Sequence, residues 1–119
     1  MMPPEKNIDL TAASDRALQI RELYTKLEQR MHGGAWSPQE LMIGYLYDLG
    51  ELGRLIMAKE DRWVHQGDLP RELEDKLSEC LWWVLVLAER TGVDISKAFT
   101  AKMNELSADL TKSVEKGAS

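Results

Sequence analysis

The sequence has little of several residue types that mark out particular classes of protein. It contains one cysteine, Cys80, so no disulfide can form within the chain. It contains two histidines, and neither stands at metal-ligand spacing from a second His or Cys. These shortages exclude a disulfide-stapled fold and argue against a zinc site.

The sequence also lacks a long apolar run. The longest is residues 80–88, far below the ~20 residues that span a bilayer. The first residues have no apolar core of the kind found in secretory signals. We therefore expect a cytoplasmic protein that does not bind membranes.

Positive charge is in deficit. The chain has 15 Lys and Arg against 20 Asp and Glu, which gives a formal net charge of -5. Nucleic-acid polymers are bound largely through Lys and Arg, so we expect no such partner. We expect any phosphate ligand to arrive with a metal ion.

Apolar residues at helical spacing, with almost no strand pattern, predict an all-α domain of four helices. The first helix should begin between Thr11 and Asp15 and end before Gly33. The second should begin at Ser37, which forms a capping box with Glu40, and run to about Lys59. Asp68 with Pro70 should open the third, Gly92 should end it, and Asp94 should cap the fourth.

The domain boundaries follow from the same pattern. Residues 1–10 are predicted to be a flexible N-terminus, residues 11–110 a helical domain, and residues 111–119 a flexible tail.

The third helix is apolar on every side from Cys80 to Ala88, and such a helix has to be surrounded by others. Three neighbours from one short chain can hardly enclose it. We therefore expect a homodimer or homotetramer, with Trp82 or Trp83 partly at the interface. The fourth helix adds an apolar stripe at coiled-coil spacing, formed by Ile95, Phe99, Met103, Leu106 and Leu110.

Two acidic pairs are the candidate chemical groups. Asp48 and Glu51 share one face of the second helix, and Asp75 and Glu79 share one face of the third. The simpler interpretations are a solvated face paired with Arg54, and acids that favour a helix N-terminus. If the carboxylates instead converge they need a cation, and magnesium prefers such oxygen ligands.

Glycines flank the acids of the second helix. Gly44, Gly50 and Gly53 each cost roughly 1 kcal/mol of helix stability relative to Ala. We expect them to mark close packing or the approach of a ligand.

Three motifs carry a resemblance to a known family. They are Tyr47-Asp48-Leu49-Gly50-Glu51-Leu52, then Lys76-Leu77-Ser78-Glu79 before the apolar run, then Gly92-Val93-Asp94. In order and framing the chain resembles, from about Trp36 to Leu110, the MazG-like all-α nucleoside triphosphate pyrophosphatases. That family has Glu-Glu-x-x-Glu, Glu-x-x-Asp and Gly-(Ile/Val)-Asp. Tyr47 and Lys76 stand where the family has glutamates.

The resemblance implies a four-helix MazG-like bundle and a magnesium-dependent enzyme, with Mn²⁺ as an alternative ion. It implies that Asp48, Glu51 and Glu79 hold the metal, with Asp75 at the edge. The reaction would split a nucleoside triphosphate between the α and β phosphates, giving a monophosphate and pyrophosphate. Glu51 or Glu79 would position the attacking water.

Other residues are candidates for holding the nucleotide. Trp36, with His32 beside it and with Trp83, is expected to stack on the base, although a tryptophan that anchors the core is equally consistent with the sequence. For the phosphates the candidates are the following basic residues: Lys76, Lys102, which matches a family Lys, and the loop residues Arg62 and His65.

Two functions from different classes remain open. The first is the pyrophosphohydrolase, and the second is a non-catalytic helical dimer that senses nucleotides or binds proteins. Lys76 separates them, because a lysine in the place of a metal-binding Glu removes a ligand and adds a positive charge.

Overall fold

The structure is a computed structural model that describes residues 8–32 and 34–118, without the side chains of His32 and Ala118. Within these ranges it contains four α-helices and no strand, so the all-α prediction is confirmed. The helices are α1 (Leu10–His32), α2 (Pro38–Lys59), α3 (Leu69–Arg90) and α4 (Ile95–Ala118). None of these helices combines the length and apolarity needed to cross a membrane.

The second, third and fourth helices begin at the capping residues that the sequence predicts. Helix α1 instead begins at Leu10, before the predicted start between Thr11 and Asp15, with Asp9 Oδ1 accepting from the backbone N–H of Ala12. Ser37 Oγ accepts a bond from the backbone N–H of Glu40, and Glu40 Oε1 accepts one from the backbone N–H of Ser37. The carboxylate of Asp68 accepts from the third residue after it, and that of Asp94 does the same. Each bond satisfies a backbone donor that the first turn leaves free, and so fixes where the helix starts.

The helix ends agree with the sequence less completely. Gly92 follows α3 with φ +75°, a left-handed conformation that glycine adopts without a Cβ penalty. It lets the N–H of Val93 bond back to the carbonyl of Ala88 at 2.8 Å. The last helix continues through Thr111 to Ala118. Residues 1–7 of the predicted flexible N-terminus lie outside the described residues.

Helices α2 and α3 form the most extensive helix pair, and α1 packs on α3. The core lies along α3, where Leu41 of α2 and Val86 are completely buried and Trp83 is 8% exposed. Within the described residues, α4 touches α1 and α3 alone, and over a short length. A site between α2 and α3 therefore rests on the best-packed part of the molecule.

The apolar run of α3 finds more cover within its own chain than its pattern predicts. Cys80, Leu85, Val86 and Ala88 are buried by the other helices, and of the run only Leu81 is clearly exposed, at 52%. Trp83 lies in the chain's own core, whereas Trp82 is half-buried. The apolar stripe of α4 is exposed, at Phe99, Met103, Leu106 and Leu110, and large apolar side chains are also exposed on α1 and α2.

The three glycines of α2 do not share one role. A Cβ on Gly44 would lie 2.6 Å from Cη2 of Trp83 and 2.9 Å from its Cζ2. Gly50 and Gly53 have nothing within 4 Å of the same position. Close packing therefore explains Gly44 alone.

We predict that Gly44→Ala and Gly53→Ala change stability in opposite directions. Alanine gains about 1 kcal/mol over glycine in a helix interior, and Gly53→Ala should realise that gain. At Gly44 the added methyl should displace the Trp83 ring, at a cost of about 1–3 kcal/mol that offsets the gain. Denaturant unfolding of both variants, with tryptophan fluorescence as the probe, measures the difference. A Gly44→Ala variant as stable as Gly53→Ala would contradict the close contact.

Candidate functional site

Three carboxylates from two helices surround one ammonium group. Asp48 and Glu51 extend from α2, and Lys76 and Glu79 extend from the facing side of α3. Lys76 Nζ lies 3.2 Å from Asp48 Oδ1, 2.7 Å from Glu51 Oε2 and 2.7 Å from Glu79 Oε2. We call Asp48, Glu51 and Glu79 the carboxylate cluster. These are the three residues that, by the resemblance, are expected to hold a metal.

The carboxylate cluster is held from two further directions. Trp83 Nε1 donates to Asp48 Oδ2 at 2.6 Å, which ties one carboxylate to the buried core. The indole can lie there because Gly44 leaves room for the ring. On the solvent side the hydroxyl of Tyr47 hydrogen-bonds the Glu51 carboxylate. Tyr47 thus interacts with one of the candidate ligands.

The electrostatics of the cluster follow from these contacts. Burial acts to lower the pKa of Lys76, but its contacts with Glu51, Glu79 and Asp48 outweigh burial and hold that pKa above its ordinary value. The contact with Lys76 in turn lowers the pKa of Glu51 below 4.5, against the effect of burial. The hydrogen bond to Glu51 raises the pKa of Tyr47. At neutral pH the site therefore contains the Lys76 ammonium and an ionised Glu51.

The donor chemistry of the carboxylate cluster fits a hard divalent cation. Three carboxylates and one ammonium leave two net negative charges, which one magnesium ion would neutralise. Carboxylate oxygens on facing helices are ligands that suit this ion. Among the described residues, no group of three or more His, Cys, Asp or Glu side chains is already arranged to hold a metal ion. The three carboxylates are instead drawn to Lys76.

An aromatic cavity of about 550 Å³ opens beside the cluster. Its walls include Trp36, Trp82, Trp83 and Tyr24, and Asp48 and Glu79 line it as well. The rings of Trp82 and Trp83 meet edge to face, with their centroids 4.8 Å apart. This aromatic cavity therefore shares two of its lining residues with the carboxylate cluster.

A second, outer groove lies on the other side of the cluster. Glu51, Lys76 and Glu79 line it together with Asp75 and Arg54. Asp75 thus lies at the edge of the site, one residue before Lys76, and it is exposed. At its outer wall His65 pairs with Glu72, and Arg54 stacks on Trp63 with its guanidinium carbon 5.4 Å from the ring centroid.

Two of the candidates for nucleotide binding lie away from the carboxylate cluster, and the side chain of a third is outside the described residues. Lys102 is exposed on α4 and pairs with Glu105 at 3.5 Å. Arg62 lies in the loop after α2, exposed, and lines neither the aromatic cavity nor the outer groove. The side chain of His32 lies outside the described residues.

Sequence reasoning missed a buried charged pair on α1. Arg21 and Glu28 are 5% and 7% exposed, they bond to each other, and both line the aromatic cavity. Glu28 Oε1 also accepts a hydrogen bond from the backbone N–H of Trp36 at 2.9 Å, which positions the backbone of Trp36 in the loop before α2. The spacing of Arg21, Tyr24 and Glu28 places all three on one helical face, and that pattern could have indicated the pair.

We predict that Lys76→Met destabilises the protein in a pH-dependent way. Without the ammonium three carboxylates repel one another at pH 7, at a cost of about 1–3 kcal/mol, between the values for exposed and buried ion pairs. The pKa of Glu51 is lowered in the folded protein, so its contribution to stability is complete above the unfolded value of 4.5 and is lost as the pH falls through the lower folded value.

The difference in unfolding free energy between wild type and Lys76→Met should therefore shrink below about pH 4. Denaturant titrations at pH 7 and pH 3.5 measure it, and Lys102→Met is the matched control on an exposed pair. A difference that stayed constant across this range would show that Lys76 contributes packing and not charge.

Comparison with protein-family models, with curated proteins and with solved structures found no match to this chain. The proposals below therefore rest on the residues of the site and on the resemblance of its motifs.

Proposed function

We propose that the protein is a magnesium-dependent nucleoside triphosphate pyrophosphohydrolase of the MazG-like type, which converts a nucleoside triphosphate to a monophosphate and pyrophosphate. One observation carries the proposal. Asp48 and Glu79 belong to the carboxylate cluster and also line the aromatic cavity. A ligand with a flat ring at one end and a charged phosphate chain at the other fits two such neighbouring surfaces.

The aromatic cavity is the binding site that we propose for the base. Stacking between a base and an aromatic side chain contributes about 1–3 kcal/mol in nucleic-acid binders. Trp36, Trp82 and Trp83 offer indole surfaces there, and Arg21 and Glu28 offer a donor and an acceptor for the polar edge of a base. The cavity volume of about 550 Å³ is within the range of small-molecule sites.

The carboxylate cluster supplies the metal ligands. Asp48, Glu51 and Glu79 would hold the ion, which when bound makes a coordinated water more acidic and neutralises charge on the leaving pyrophosphate. Glu51 Oε2 lies 2.7 Å from Lys76 Nζ, on the side of the cluster that opens to the outer groove. A carboxylate next to the phosphates can orient the attacking water and accept its proton.

The second candidate function is a nucleotide-sensing module that binds its ligand without cleaving it. The position of Lys76 favours it, because the ammonium already pairs with the three carboxylates that a metal would need. A lysine is also a competent phosphate ligand without any metal. Binding without turnover is the result that separates this function from the enzyme.

We predict that a screen of the common ribo- and deoxyribonucleoside triphosphates, with Mg²⁺ or Mn²⁺, will show release of pyrophosphate with at least one of them. Glu51→Gln should lower the rate by a factor of about 10² or more, because the amide is not a base and is a poorer metal ligand. Glu22→Gln, on an exposed position of α1, is the matched control and should keep the full rate.

Tryptophan fluorescence in the same samples reports binding, since three tryptophans line the aromatic cavity. Nucleotide binding without pyrophosphate release, with every substrate and both ions, would favour the sensing module. Neither binding nor release would reject both functions.

We further propose that the protein works as a homodimer or a homotetramer. The apolar stripe of α4 leaves Phe99, Met103, Leu106 and Leu110 exposed in the single chain. The spacing of these residues suits a seam between helices, and α4 has little contact with the rest of its own chain. A second copy would cover the stripe and Leu81 of α3, another exposed apolar side chain.

We predict that sedimentation will show an associated protein at micromolar concentration. Met103→Glu should weaken the association by a factor of ten or more, because a carboxylate buried in an apolar seam loses its hydration. Ala108→Glu, at an exposed position on the opposite side of α4, should leave it unchanged. A well-folded wild-type monomer would reject the proposed assembly.

A further inference from the structure

The ammonium of Lys76 and a metal ion compete for the same oxygens. Lys76 Nζ is within 3.2 Å of all three carboxylates of the cluster, and its side chain is 16% exposed. Magnesium needs oxygen ligands at about 2.0–2.1 Å and carries two charges of the same sign as the ammonium. The two cations cannot use the same carboxylates together without strong repulsion. The ligand-free protein should therefore bind magnesium weakly.

The ammonium of Lys76 could also bind a ligand in the outer groove. It lines the outer groove together with Arg54 and with His65, which pairs with Glu72, and the same groove also contains Glu51, Asp75 and Glu79. A lysine ammonium sits on a flexible four-carbon stem, so it can change partners while the backbone of α3 stays in place. Phosphate oxygens are ligands as favourable for it as carboxylates are.

We propose that Lys76 makes the binding of magnesium conditional on the nucleotide. This inference rests on the proposed function. Phosphates entering between the aromatic cavity and the outer groove draw the ammonium away from the carboxylate cluster, and Asp48, Glu51 and Glu79 are then free to bind the ion. Because such coupling is reciprocal, magnesium strengthens the binding of nucleotide by the same factor.

The arrangement has a direct consequence for the free protein. A site of three unpaired carboxylates would attract any divalent cation, whereas a site closed by its own lysine remains paired until a phosphate ligand arrives. Lys76 is on this account a positioning residue that sets the order of binding.

The test is magnesium binding by calorimetry, with wild type, Lys76→Met and the control Lys112→Met, at an exposed position of α4, first without nucleotide. Lys76→Met should bind magnesium at least tenfold more tightly than the other two. Lys76→Gln is the second variant, because it removes the charge and keeps a polar group that can bond one carboxylate. Lys76→Gln replaces Lys76→Met in the test if Lys76→Met does not fold.

The titrations are then repeated with the α,β-methylene analogues of the four common ribonucleoside triphosphates, which cannot be cleaved between the α and β phosphates. The free analogue binds magnesium equally whichever protein is present. This binding therefore does not change the ratio of the magnesium affinities of wild type and variant. The analogue should increase magnesium affinity at least tenfold more in wild type than in Lys76→Met.

Equal coupling in the two proteins, with binding of the analogues intact, would overturn this inference alone. Equal magnesium affinity of wild type and both Lys76 variants without nucleotide would also overturn it. Absence of analogue binding in every protein would reject the proposed function, and the inference with it.

Discussion

Lys76 donates to carboxylates on both α2 and α3, and the arrangement of the candidate site depends on this one charged contact. Its ammonium brings together Asp48, Glu51 and Glu79, which would otherwise repel one another across the helix pair. Partly buried ion networks are often close to neutral for stability, because desolvation offsets attraction. A stabilising role between two helices therefore explains this network less well than a ligand-binding role in which the ligand changes the ion pairs.

The same contact connects the charged and the apolar halves of the site. Asp48 receives one bond from Lys76 and another from the Trp83 indole. That indole fits because position 44 is glycine, and it forms part of the wall of the aromatic cavity. The carboxylate cluster and the cavity therefore share Asp48 and Glu79, and the Trp83 indole bonds one of these two carboxylates. On the opposite wall, the buried pair of Arg21 and Glu28 fixes the backbone of Trp36.

Local rules predicted the helices well, since Ser37, Asp68 and Asp94 act within one turn of themselves. Helical spacing also showed that Asp48 and Glu51 face the same way on α2, but the grouping of Glu79 with them was implied by the resemblance. The contact of Lys76 with all three was beyond such rules, since it depends on how α2 and α3 pack. The roles of Gly44 and Glu28 were likewise hidden, because their partners lie far away in the sequence.

The central claim is that the carboxylate cluster and Lys76 form a functional site and not a structural one. The most direct measurement compares wild type with a neutral variant that combines Asp48→Asn, Glu51→Gln, Lys76→Met and Glu79→Gln. Unfolding free energy and nucleotide binding are measured on the same two proteins. We expect the neutral variant to be at least as stable as wild type, because it no longer desolvates four charges, and to have lost nucleotide binding. A variant several kcal/mol less stable that still bound nucleotide would contradict the claim.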